Sequence, residues 1–219
     1  MCFYLSAQDS PEFEQVQKKQ VMFTQFATYV TTWLSRTGVI QDDDVELYQY
    51  GFFILLTGIF HFIITVVLGF FFNVFCESIL FYIMFTLLRS YAGGIHAKTE
   101  SQCLVLSDLA ILICVAGIRI LQNSSSIMPP LILLSVGFGC ILKLSPLDTE
   151  EKPLTTEERR LYKMHSQCIA LNIVILAVVT YAIGINGIFH CAAVSLALEG
   201  LLLVAGKMSK YSQISDYPE

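Results

Sequence analysis

The chain has 219 residues, of which 55% are apolar and only 14% are charged, and its formal net charge is -5. An average soluble domain carries roughly 25% charged residues, so a soluble globule of this composition would be left with large apolar patches. These figures exclude an ordinary soluble domain and a basic, nucleic-acid-binding face, and they point to a protein whose solvent is the lipid bilayer.

The first residues, MCFYLSAQDSPEFE, lack a basic segment followed by an uninterrupted apolar run, so they do not read as a signal peptide. Insertion is expected to be directed by a later transmembrane helix. Residues 10–35 read as an amphipathic helix. Ser10 can cap it and Pro11 fits its first position. Phe13, Val16, Phe23, Phe26, Val30 and Trp33 form a rough apolar stripe at helical spacings. Such a helix can lie in the headgroup plane or pack on the ends of a bundle. The acidic run Asp42, Asp43, Asp44 marks a solvated boundary.

Residues 48–72 carry no formal charge. At about 1.5 Å per residue this stretch crosses a hydrocarbon core of roughly 30 Å with some tilt. His61 lies in its middle and is expected to be a hydrogen-bonded packing residue. Further spans follow at 73–88, 102–122, 127–144, 166–185 and 188–206. Pro129 and Pro130 suit the first turn of the fourth span. Thr155 and Glu158 have the spacing of a capping box, which predicts a short surface helix leading into the fifth span.

Two polar stretches interrupt this pattern, residues 89–103 and 145–165. If both lie on the same side as the N-terminal region and the tail, then of the 13 Lys and Arg residues only Arg119 falls on the other side. The positive-inside rule then places both termini and both polar stretches in the cytoplasm. The expected organisation is an N-terminal interfacial region over 1–44, a six-span domain over 45–206 and a cytoplasmic tail over 207–219. The fold class is all-α: a polytopic membrane protein with six transmembrane helices plus an N-terminal amphipathic helix.

Seven cysteines are scattered along the chain without metal-site or C-x-x-C spacing. Most lie in apolar runs, where cysteine behaves as a small hydrophobe, so free thiols are expected. No metal or cofactor motif is visible. Cys103 differs because its surroundings are polar, and His96 stands seven residues before it. Thr99 and Gln102 match a capping box that would make Glu100 the first helical residue. Cys103 would then occupy a first turn, where exposed N–H groups and the helix dipole stabilise a thiolate. A histidine on the same loop is a standard activator of a cysteine nucleophile. Gly93 and Gly94 allow a sharp turn, or simply stop the preceding helix.

The acidic residues Glu77, Asp108 and Glu199 fall within or near spans, and each calls for a partner. Glu77 is expected to pair with Arg119. Asp108 or Glu199 could orient His96 or line a substrate cavity. Arg89 could bind a substrate carboxylate or snorkel from the end of its helix. Arg159, Arg160 and Lys163 could receive an acidic segment or form an ordinary solvated surface.

The stretch 89–103, RSYAGGIHAKTESQC, resembles the signature of the accessory gene regulator B family of membrane endopeptidases. That pattern has an arginine, a glycine two before a histidine, and a cysteine seven after it. Arg89, Gly94, His96 and Cys103 stand at those positions, with His-Ala-Lys at 96–98. The second polar stretch, SPLDTEEKPL, is similar to the family's proline-containing loop. The resemblance implies a bacterial cell-membrane enzyme that processes the precursor of a cyclic quorum-sensing peptide. Its catalytic pair would be His96 and Cys103, with Arg89, Gly94 and Asp108 supporting the site or binding substrate. The implied partner is a precursor of the accessory gene regulator D (AgrD) type, with an amphipathic leader and an acidic C-terminal tail; the resemblance also allows a homodimer. Two other readings remain open on the residues alone. One is a membrane thiol acyltransferase using the same pair; the other is a transporter or signalling scaffold in which both residues are structural.

Overall fold

A computed structural model of the chain describes residues 22–94, 100–147 and 155–215. Among these, seven α-helices and one short 3-10 turn at Asp42–Asp44 account for nearly all of the backbone. The helices are α1 (Met22–Arg36), α2 (Val45–Phe71), α3 (Phe75–Ala92), α4 (Glu100–Asn123), α5 (Met128–Leu144), α6 (Thr156–Ala182) and α7 (Asn186–Ser215). Ser10, Pro11, Phe13, Val16, His96, Lys98 and Thr99 lie outside the described residues.

Five helices, α2, α3, α4, α6 and α7, are long and apolar enough to cross a membrane. The fourth expected span, α5, has 17 residues and reaches about 26 Å at 1.5 Å per residue. The chain is therefore an all-α, multi-pass membrane protein. Its exposed side chains include Val67, Val105, Ile113, Ile120, Val136 and Leu201, an outer surface that suits lipid contact.

Local chemistry sets the helix ends. The Thr155 hydroxyl accepts from the Glu158 N–H at 3.3 Å, and the Thr155 N–H donates to Glu158 Oε2 at 3.0 Å. This reciprocal cap starts α6 as its spacing predicts. The helix then runs unbroken into the membrane, so the expected surface helix and fifth span are one element. Gly184, at φ +85, ends the connection to α7, with the Gly184 N–H donating to the Tyr181 carbonyl at 3.0 Å. The last helix also continues past Gly206, where a polar tail was expected to begin.

The chain divides into two compact units, Met1–Ile63 with His96–Asp108, and Ile64–Ile95 with Leu109–Glu219, taken over their described residues. In the first, Gln49 Nε2 donates to Thr28 Oγ1 at 2.7 Å, tying α1 to α2. Phe23 packs on Phe60 with ring centroids 5.2 Å apart. Of the expected apolar stripe, Phe26 and Trp33 face outward, and the buried positions of α1 are instead Ala27 and Thr31.

The second unit holds the main core, with α7 at its centre. Phe81 and Leu88 of α3, Ile118 of α4, Ile141 of α5, and Leu196 and Leu203 of α7 are fully buried. Gly137 of α5 lies against the α7 backbone at Leu196, where a Cβ would overlap it, and Gly200 approaches Gly137 in turn. Small residues here let two helix backbones approach closely, the packing that membrane helices rely on. Polar groups tie α3 to α7 as well: Ser195 Oγ donates to the Cys191 and Phe81 carbonyls at 2.8 and 3.3 Å.

Candidate active site

The sequence places a nucleophile at the start of a helix, and α4 does begin at Glu100 with Cys103 in its first turn. Cys103 is partly exposed. It is also disulfide-bonded, which corrects the expectation of free thiols throughout. Burial accounts for Cys114 and Cys191, which stay free thiols inside apolar helices, but exposure alone does not decide pairing, because the exposed Cys76 and Cys168 are free too. Cys140 is free as well. His96 lies outside the described residues, so its approach to Cys103 does too.

In sequence His96 follows the last residue of α3, Ala92, by four positions, and that helix end is described. Arg89, in the last turn of α3, donates from Nη1 to the Gly93 carbonyl at 2.6 Å. The same nitrogen lies 3.9 Å from Glu199 Oε1 of α7. The guanidinium also fills the space beside Gly94 that a side chain there would need. Gly93 and Gly94 have φ values of +78 and +146, a region that favours glycine. A Cβ on Gly93 would come within 2.5 Å of the Leu147 carbonyl oxygen. Here the chain forms a bridge with the stretch that follows α5, and the Leu147 N–H donates to the Ala92 carbonyl at 3.0 Å. The two polar stretches therefore begin side by side.

Around them, Ser145 and Ser166 share a buried hydrogen bond of 2.7 Å. The Tyr91 ring stacks on His165 with centroids 5.2 Å apart. Arg159, Arg160 and Lys163 are exposed on the first turns of α6.

Asp108 is expected to support the site, and its carboxylate faces His61 at 3.5 Å. Five positions separate it from Cys103, which is about 140° around the helix. Asp108 and Cys103 consequently point from different faces of α4. His61 thus has an acidic neighbour where a packing role was expected. The anticipated Glu77–Arg119 pair is not formed. Instead, Gln122 Nε2 donates to Glu77 Oε1 at 2.9 Å, because Gln122 lies one turn nearer the helix end that meets the start of α3.

The residue that sequence reasoning left without a definite role is Glu199. It is fully buried, and Arg89 is its ion-pair partner. The only signal available beforehand was a carboxylate inside an apolar helix, which demands a counter-charge without naming it.

Comparison with known proteins bears on this arrangement. The sequence profile of accessory gene regulator B matches residues 27–203. Among individual relatives, an AgrB-like protein 2 of Clostridium perfringens is 29% identical over 122 residues, covering 52% of this chain and 56% of the relative. Protein FsrB of Enterococcus faecalis is 33% identical over 89 residues, covering 41% of this chain and 36% of the relative. Accessory gene regulator protein B of Staphylococcus aureus is 29% identical over 132 residues, covering 59% and 66% respectively. The match thus spans about half the length of the Clostridium protein. No solved structure matches. The family profile covers both polar stretches and every helix from the middle of α1 to the middle of α7, and the chain belongs to the accessory gene regulator B family.

Proposed function

We propose that the protein is a membrane cysteine endopeptidase of peptide quorum sensing, with Cys103 as nucleophile and His96 as acid–base catalyst. The observation that carries this reading is the position of Cys103 in the first turn of α4, inside the matched family region. The substrate is a precursor with an amphipathic leader, a signal segment and an acidic tail.

The active form is the reduced one. The Lys and Arg distribution assigns the site to the cytoplasm, where thiol pools keep cysteines reduced; the disulfide must open before turnover. His96 takes the thiol proton, and the Cys103 thiolate adds to the carbonyl at the junction of signal and tail. As the tetrahedral intermediate collapses, the C–N bond breaks. The imidazolium gives its proton to the departing amine, and the signal remains as an acyl thioester on Cys103. A cysteine or serine within the signal then attacks the thioester carbonyl. This closes a thiolactone or lactone and returns the thiol to Cys103. An apolar setting disfavours water as the competing nucleophile. Arg159, Arg160 and Lys163 supply positive charge suited to the acidic tail.

The test is co-expression with a tagged precursor in membranes. Cys103→Ala is expected to abolish tail release and His96→Ala to slow it by about 10²–10⁴-fold. Tail release that persists with Cys103→Ala overturns the proposal.

A further inference from the structure

Among the described residues, the Glu77 carboxylate has no Lys or Arg within ion-pair distance. Its Oε1 accepts from Gln122 Nε2 at 2.9 Å, and its second oxygen accepts no hydrogen bond from the described residues. The same Oε1 lies against the first turn of α7, where a Cβ on Gly187 would come within 2.9 Å of it. Glu77 is half-buried, at the end of the second unit where α3, α5 and α7 begin and α4 and α6 finish. The ends of spanning helices lie at headgroup depth. A carboxylate held there without a counter-charge calls for a partner from outside the chain.

The surrounding wall says what kind. Glu77 lines a cavity of about 330 Å³ together with Gln122, Ser125, Tyr181, Asn186 and His190. That volume is at the low end for small-molecule pockets. The lining holds one carboxylate and no Lys or Arg, which disfavours an anion. A divalent metal is disfavoured as well. Such ions gather several oxygen ligands, and no group of three His, Cys, Asp or Glu that could hold one exists among the described residues. The wall instead offers hydrogen-bond acceptors around a fixed negative charge. His190 Nδ1 is buried and has no hydrogen-bond partner among the described residues. In the tautomer protonated on Nε2 it is an acceptor, and leaving it unfilled is costly. A primary ammonium has three N–H donors and no acceptor. It can donate to the Glu77 carboxylate, to His190 Nδ1 and to a hydroxyl or amide oxygen of the same wall.

We propose that this cavity binds a primary ammonium group, with Glu77 as its counter-charge and His190 as a second acceptor. The group comes from an aminophospholipid headgroup of the adjoining leaflet or from a free amine in solution. The proposal does not rest on the reading of His96 and Cys103.

The test uses the full-length protein in phosphatidylglycerol nanodiscs that carry equal minor shares of phosphatidylethanolamine and phosphatidylcholine. The choline headgroup keeps the positive charge but has no N–H. Native mass spectrometry reads which lipid stays bound. The wild type is expected to retain phosphatidylethanolamine over phosphatidylcholine by at least about tenfold, and Glu77→Gln to bring the ratio close to one. In a second arm, ethanolamine or choline is added to the protein in phosphatidylglycerol nanodiscs and the melting temperature is followed. A rise with ethanolamine alone, lost in Glu77→Gln and without a lipid preference in the first arm, assigns the cavity to a free amine. Equal retention of the two lipids with no ethanolamine-specific rise overturns the proposal. So does an ammonium preference that Glu77→Gln leaves intact. If Glu77→Gln does not accumulate in membranes, His190→Phe takes its place, since it keeps a ring and removes Nδ1. It is expected to cut the preference by at least about threefold; an unchanged preference overturns the proposal.

Discussion

Gly94 shows how a single atom's absence is used. Its missing Cβ is where the Arg89 guanidinium rests, and its φ of +146 is one that side chains rarely adopt. Gly94→Ala is expected to lower stability by about 1–3 kcal/mol, read as a fall in melting temperature in detergent, and to reduce tail cleavage. Gly51→Ala is the control, since a Cβ there meets nothing within 4 Å. The arginine and glycine were legible in the sequence as members of one pattern, because they share a short stretch. The reason for their coexistence was not legible. It depends on a side chain folding back over the turn, and on a carboxylate contributed by the last helix. Asp108 teaches the same lesson in reverse: its closeness in sequence to Cys103 hid a helical rotation that turns it toward His61.

Local signals fared best at the level of single elements. The α6 cap could be read because both of its residues lie within one turn, and α4 starts at the residue its spacing predicted. Boundaries marked by charge alone fared worse. Residues 156–182 contain no glycine or proline, so nothing interrupts α6 where its basic residues give way to apolar ones. The crossing of α5 and α7 was not visible in sequence, because Gly137 and Gly139 look alike there. In the structure they differ. A Cβ at Gly137 would overlap the Leu196 backbone, whereas one at Gly139 meets open space. Gly137→Ala should therefore destabilise the protein by about 1–3 kcal/mol through overpacking. Gly139→Ala should be neutral or stabilising by up to about 1 kcal/mol through helix propensity. Denaturant titration of the two purified variants checks the difference.

For the whole molecule, the distribution of Lys and Arg makes a topological prediction. In a background without native cysteines, Asn73→Cys and Ser125→Cys are expected to react with a membrane-impermeant maleimide added to intact cells. Thr155→Cys is expected to react only after the cells are opened. Reaction of Thr155→Cys in intact cells would invert the expected orientation. Composition sufficed to announce a bilayer protein, since so apolar a chain has few other ways to exist.

The shortness of α5 carries a last consequence. With 17 residues it reaches about 26 Å, short of a hydrocarbon core of roughly 30 Å. Acyl chains along the α5 flank must shorten, splay or tilt to meet it, at a cost of fractions of a kcal/mol per Å. Fatty-acid length in the host envelope thereby becomes a quantity to which the protein responds, and a cell that remodels its lipids during growth would alter the mechanical load on this flank.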